Sequence, residues 1–394
     1  MHKQSPIPYG RQTITEADIA AVESVLRGPT LTQGDVVPSF ERAVAHRVGA
    51  AHAVAMNSAT SALHLACLAL GLGPGDRLWT SPITFVASAN CARYCGAEVG
   101  FVDIDPATGL MSVEALAEKL ADADREGTLP RIVVPVHLAG TSCPMAEIAA
   151  LAQRYGISIL EDASHAIGGS YQGQPVGSCE YSDIGVFSFH PVKIITTGEG
   201  GLATTNHQQL AQRMVDLRSH GIVKDNSRFQ LASAGPWSYE QQELGFNYRL
   251  TDIQAALGLS QLQRLDSIVA ERHRLFASYQ SLLTDLPLKL LAIPKDVESA
   301  LHLAIVRLDD PDPAHHRRLF EGLRMKGIGV QLHYSPVHLQ PYYRRLGFRE
   351  GDYPAAEAYA HNSISLPLYP GLLKEQQEKV VEDLTSLLGQ TSEK

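Results

Sequence analysis

Four short stretches carry residue types that can do chemistry. In S-F-H-P-V-K (188–193), Lys193 stands just past an apolar run. An amine in a dry pocket loses its proton more readily, because burial disfavours the charged form. A neutral amine can form a Schiff base with an aldehyde; the plain alternative is a solvated loop lysine. In E-D-A-S-H (161–165), Asp162 closes another apolar run. A carboxylate there needs a cation, a metal or a capped helix, and His165 is close enough in sequence to share its pocket. The alternative is a helix cap beside a surface histidine. In N-S-A-T-S (57–61), small hydroxyl residues leave backbone N–H groups free at a helix start, which suits a phosphate. Otherwise Ser58 or Thr60 simply caps the helix. In S-P-I-T-F (81–85), Phe85 either covers a flat ring or fills the core.

The elements that must hold these stretches follow from apolar spacing. Strands are expected at 53–56, 77–80, 99–103, 131–136 and 157–162, alternating with helices near 58–71, 85–95, 112–124 and 145–155. Near-continuous apolar strands alternating with helices predict a buried, mostly parallel sheet with helices on both faces. Strands 185–189 and 201–205 are separated by too few residues for a crossover helix, so an antiparallel neighbour is expected there. A helix at 15–27, capped by Thr15, precedes the sheet, and one near 207–218 follows it. Residues 219–250 are irregular, a length usually reserved for functional or interface loops. A long helix over 252–283, strands at 302–308 and 328–333, and helices at 314–326 and 373–388 complete the chain. In such a sheet ligands bind beyond the carboxyl ends of the strands, where all four stretches fall.

Taken together, a phosphate cradle, a strand-end carboxylate, a lysine and a ring-covering aromatic are what pyridoxal 5′-phosphate requires. Its phosphate suits the helix start, its pyridine nitrogen a carboxylate, and its aldehyde an amine. No HExxH, GxSxG or GxxxxGK[ST] pattern is present. Cys91-x3-Cys95 supplies two thiols, too few for a zinc site.

Composition narrows the classes. The chain has 394 residues, 44% hydrophobic and 19% charged, with a net charge of −9. It can bury a sizeable core, and roughly two to three domains are expected at about 150 residues each. The acidic balance argues against a dedicated nucleic-acid binder or a regulator with a basic stripe, while leaving room for a locally positive site. Five cysteines make a disulfide framework unexpected and a reducing cytoplasm the default. The start MHKQSPIPYGRQ has no apolar h-region and no apolar run reaches bilayer length, so a cytoplasmic location without membrane contact is expected.

NSATSALHLA (57–66), EDASHA (161–166), SFHPVKIITTGEGG (188–201), RSHGI (218–222) and GFNYRLTDIQAALGLSQL (245–262) resemble the DegT/DnrJ/EryC1/StrS family of sugar aminotransferases. The likeness runs from YGRQ (9–12) to SLPLYP (365–370). It implies an α/β fold of the pyridoxal-phosphate transferase type I. That fold has a large cofactor-binding domain with an N-terminal arm (1–250), a linking helix (251–285) and a small C-terminal α+β domain (286–394).

By that resemblance Lys193 holds the cofactor and shuttles a proton, Asp162 pairs with the pyridine nitrogen, and His165 lies beside the ring. Thr60, Ser61 and Ser188 bind the phosphate, and Phe85 stacks on the ring. Asn247 reaches the phosphate of the partner subunit, in a homodimer with shared active sites. His333, in GVQLHY, and Tyr9 approach the sugar. Some family members replace the lysine with histidine and act as dehydratases; Lys193 favours transamination here. FHPVKIITT, PWSYEQQELGFNYR and HYSPVHLQPYYRRLGF most resemble the members serving pseudaminic acid synthesis. The expected reaction moves the amino group of L-glutamate to C4 of a UDP-linked 4-keto-6-deoxy-N-acetyl sugar, giving UDP-4-amino-4,6-dideoxy-N-acetyl-β-L-altrosamine. Another nucleotide-linked 4-keto or 3-keto deoxysugar is the alternative acceptor.

Overall fold

Successive side chains along the buried strands enter different apolar clusters. Val54, Met56, Leu78, Ile132, Val134, Leu160, Ile184 and Val186 pack on one face with Leu65, Cys91 and Met214. On the other face Trp79, Val133 and Ile159 meet Leu116, Ile148 and Ala152, and Ala55, Phe187 and Leu202 meet Phe40, Val44 and Ala255. Period-two alternation with both sides apolar demands helices above and below the sheet. A computed structural model, describing residues 6–310 and 312–389, shows that arrangement. Residues 1–5, on which the reading of the chain start partly rests, lie outside the described residues.

The large sheet has seven strands in the order His52–Met56, Gly201–Thr205, Ile184–Ser188, Ser158–Asp162, Ile132–Val134, Arg77–Thr80 and Glu98–Phe101. Gly201–Thr205 is antiparallel to both neighbours, and every other pairing is parallel. The carboxyl ends of the remaining strands therefore share one edge. Gly201 begins its antiparallel strand at that same edge, opposite both Met56 and Ser188.

A second, three-stranded antiparallel sheet is formed by Leu288–Leu290, Ala304–Leu308 and Ser363–Leu366. Helices Pro313–Met325 and Lys374–Leu388 cover it through Leu319, Leu323, Val380 and Leu384. Helix Leu265–Leu282 belongs to both cores: Leu265 and Ile268 pack under the large sheet, Leu275, Phe276 and Tyr279 under the small one.

Two local expectations change, and one helix is found where none was expected. The helix expected over 252–283 is two helices, Asp252–Leu262 and Leu265–Leu282, parted where Arg264 turns to donate to Asp18 at 2.7 Å. Val36–Val48 is a helix that GDVVPS disguises, because Pro38 falls in its first turn, where a missing N–H costs nothing. The strand expected over 328–333 reduces to single bridges, Ile7 to Ile328 and Gln331 to Ser365. Gly329 is the crossing point; a Cβ there would lie 2.9 Å from the Tyr9 nitrogen. Among the described residues no helix is long and apolar enough to cross a membrane.

Candidate active site

The strand ends deliver the four stretches to one place. Asp162 ends Ser158–Asp162 and Ser188 ends Ile184–Ser188, both buried. His52–Met56 leads through Asn57 into helix Ala59–Ala69. Ser58 is the cap of that helix, accepting the Ser61 N–H at 3.1 Å. The first-turn N–H groups of Ala59 and Thr60 have no acceptor within the helix. Gly201 lets the sheet edge approach this helix start, since a Cβ there would sit 2.3 Å from the Ala59 nitrogen.

Tyr9, Thr60, Phe85, Asp162, His165, Ser188, Lys193 and His333 line a single cavity of about 430 Å³. That size is ordinary for a small-molecule site. Ser88 Oγ donates to Asp162 Oδ2 at 2.6 Å, and the Ser164 N–H donates to Oδ1 at 3.1 Å. Lys193 is half-buried, and its amine has no hydrogen-bond partner among the described residues. Burial brings its pKa down to about 8, and the charge of Asp162 opposes part of that fall. The His165 imidazole is pushed well below its ordinary range by burial, with Lys193 and His333 adding to the effect. His333, brought to about 4 by burial and by Lys193, shares a 2.7 Å hydrogen bond with Ser365 through Nδ1. Phe85 is 59% exposed, which removes its core reading and leaves it at the cavity rim. Tyr9 is fixed by its carbonyl, which accepts from the Leu368 N–H at 3.0 Å.

Two expected residues sit elsewhere. The Ser61 hydroxyl donates to Asn57 Oδ1 at 2.6 Å and also meets Ser58 Oγ, 2.9 Å away. Ser61 lines a neighbouring cavity of about 300 Å³ with Thr60, His64, Tyr94 and Tyr248. Asn247 is exposed and pairs with Ser219 at the base of the irregular segment. Conversely, His302, Tyr334 and Ser88 belong to the site and were not anticipated. Ser88 lies three residues past Phe85, and Tyr334 adjoins His333; those spacings could have found these two, while nothing in the sequence marks His302. A cleft of about 500 Å³ beside Arg47, Gln172 and Lys295 is larger but contains none of the expected residues, and its Arg47 is already paired with Asp266.

The arrangement combines an amine of lowered pKa, an oriented carboxylate, neutral imidazoles and a helix start, and comparisons with known proteins place it. The model of the DegT/DnrJ/EryC1/StrS aminotransferase family matches residues 12–385. The spore coat polysaccharide biosynthesis protein SpsC of Bacillus subtilis is 37% identical over 97% of each chain. Among solved structures, the sugar aminotransferase Spr1654 of Streptococcus pneumoniae, described as putative, superposes in its PMP-form with a TM-score of 0.89 at 30% identity, covering 97% of this chain and 99% of that one. Its PLP-form matches with a TM-score of 0.88. Helicobacter pylori PseC, an aminotransferase involved in the biosynthesis of pseudoaminic acid, gives 0.89 at 31% identity, covering 98% of this chain and 100% of that one.

Proposed function

The chain belongs to the DegT/DnrJ/EryC1/StrS aminotransferase family, and from that membership we propose that it carries the amino group of L-glutamate to C4 of a UDP-linked 4-keto-6-deoxy-N-acetyl sugar. The product is UDP-4-amino-4,6-dideoxy-N-acetyl-β-L-altrosamine, an intermediate of pseudaminic acid synthesis. That the protein is a sugar aminotransferase dependent on pyridoxal 5′-phosphate follows from the family and its solved members; the particular sugar is the proposal.

The residues present fit the cofactor. Among the described residues the Lys193 amine has no hydrogen-bond partner and His165 Nδ1 is buried with none, and Ala59 and Thr60, in the first turn of a helix, line the same cavity. When bound, the cofactor supplies an aldehyde for an amine and a protonated ring that takes up the electron pair freed at the substrate carbon.

The chain's own groups divide the remaining work. Lys193 Nζ is the nucleophile that holds the cofactor. With a donor amine in its place, it would take a proton at glutamate Cα and, in the second half of the reaction, give one at sugar C4. Asp162, its carboxylate oriented by Ser88 and Ser164, holds the proton on the ring nitrogen. Thr60 and Ser188, with the helix-start N–H groups, bind the phosphate, while Ser61, expected to join them, is held by Asn57 and Ser58 instead, and Phe85 covers one ring face. His165 lies beside the ring, and Tyr9 and His333 approach the sugar. Asn247 reaches the phosphate in the partner's site, in a homodimer whose two sites are shared.

The observation that carries this reading is convergence: eight of the ten expected residues, Lys193 among them, come from separate stretches of the chain to line one cavity. The sugar assignment is supported by the likeness to PseC. A second reading, transamination of another nucleotide-linked 4-keto or 3-keto deoxysugar, is favoured by the spore coat relative's higher identity. A panel of UDP- and dTDP-linked 3-keto and 4-keto sugars, assayed with glutamate for 2-oxoglutarate release, separates the two. We expect the UDP-linked N-acetyl 4-keto sugar to lead in kcat/KM by about a hundredfold. A faster reaction with any other member establishes the second reading.

A further inference from the structure

His165 carries one proton on two nitrogens, and its surroundings decide which. Burial keeps the ring neutral, with Lys193 and His333 reinforcing it, so one nitrogen is a donor and the other an acceptor. Nε2 lies 3.1 Å from the Tyr334 hydroxyl. Nδ1 is fully buried and has no protein partner among the described residues. His302 packs against the ring, with centroids 4.5 Å apart, without bonding to it.

We propose that Tyr334 fixes the tautomer of His165, so that Nδ1 bears the proton and donates it to an oxygen of the cofactor bound in the cavity. The identity of that acceptor rests on the cofactor reading above; the tautomer does not.

The direction follows from relative acidity. A phenol is a stronger donor than an imidazole N–H, and an imidazole nitrogen is a stronger acceptor than a phenol oxygen. Tyr334 keeps its proton at neutral pH because burial, and then the charge of Asp162, raise its pKa. Its O–H therefore donates to a bare Nε2, and the ring proton goes to Nδ1, since the bond at one imidazole nitrogen sets the state of the other. Tyr334 is itself held in place. The Tyr359 hydroxyl donates to the His333 carbonyl at 2.9 Å, which anchors the peptide leading into Tyr334. The Phe85 ring flanks it with centroids 6.4 Å apart. Tyr334 is thus a positioning residue that acts through His165. The buried donor at Nδ1, with no acceptor among the described residues, is satisfied when a ligand oxygen arrives.

Long-range proton–nitrogen correlation spectra of the apoenzyme, labelled with ¹⁵N-histidine, read the tautomer directly. The His165 signals are assigned by their loss in His165→Gln. The wild type is expected to show a protonated Nδ1 and a bare Nε2. In Tyr334→Phe the proton shifts toward Nε2, and the cofactor binds about tenfold more weakly. A wild-type ring protonated on Nε2 overturns the proposal by itself, whatever the variant does. A tautomer unchanged in a folded Tyr334→Phe overturns it as well. Because the spectra are taken without cofactor, they stand apart from the attachment of any cofactor to Lys193, so failure of one reading is distinguishable from failure of the other.

Discussion

Lys193 makes two pH-dependent predictions with a defined sign. Its pKa falls from 10.5 in an open chain to about 8 in the fold. Between those values the unfolded state binds more protons than the folded one, so this group's contribution makes stability rise with pH across that window. Below about pH 8 the folded apoenzyme carries a charged amine where charge is disfavoured, and Lys193→Met relieves it. The variant should therefore melt above the wild type near pH 7, and the gap should close between pH 8 and 10.5. Calorimetry of both apoproteins checks this; a gap that widens with pH contradicts it. The rate of cofactor attachment should rise through a midpoint near pH 8 on the same account, and a midpoint near 10.5 would mean an ordinary solvated amine. Asp162 makes a different prediction. Asp162→Asn keeps the Ser88 contact possible but removes the charge proposed to hold the ring-nitrogen proton, so on that proposal cofactor is retained while kcat falls by about 10²–10³. Absorbance and steady-state kinetics on one sample separate binding from rate.

At the scale of elements, the helix start beside Gly201 is the tightest joint. A methyl at position 201 meets the Ala59 backbone at 2.3 Å, where no flexible side chain can yield. Gly201→Ala should cost about 1–3 kcal/mol in stability and weaken cofactor binding by separating the sheet edge from the helix start; denaturant unfolding and cofactor titration measure the two. The same region shows how far the sequence speaks. Strands buried on both faces are short apolar runs, so VAM, IVV and SIL announce themselves, and the strand-end rule then points at Asp162, Ser188 and Phe85. The expected caps narrowed to Ser58 once the Ser61 N–H was seen to bond it. The Ser61 hydroxyl, claimed by Asn57, obeys a local competition that spacing does not reveal. His302 was illegible for another reason. It reaches the cavity from a stretch far along the chain, a meeting that depends on tertiary packing and leaves no periodic trace. The break at Gln263–Arg264 was hidden too, because no glycine or proline marks it and the contact made there, from Arg264 to Asp18, is distant in sequence.

For the whole molecule, the irregular segment presents a run of exposed apolar side chains. Leu231, Trp237, Tyr239 and Leu244 are 77%, 76%, 61% and 81% exposed on the single chain, an apolar display that monomers rarely keep. The segment leaves and returns through a neck where Gly221 and Gly245 pack backbone to backbone; a Cβ on Gly245 would lie 2.1 Å from the Gly221 nitrogen. We propose that this arm lies against a second copy and brings Asn247 to its site. Subunit exchange between Lys193→Ala and Asn247→Ala proteins tests it. In the mixed dimer one site then has both residues intact, so activity should climb above the mean of the parents after mixing; activity that stays at that mean places Asn247 in its own chain's site or in none. Beneath every scale lies a single covalent claim, that the cofactor is joined to Lys193 Nζ in the resting enzyme. Borohydride reduction of the holoenzyme, digestion and mass spectrometry test it directly. The cofactor's mass should appear on the peptide bearing Lys193, on no other peptide, and be absent in Lys193→Ala. An unmodified Lys193 peptide from active, cofactor-saturated enzyme would contradict the account.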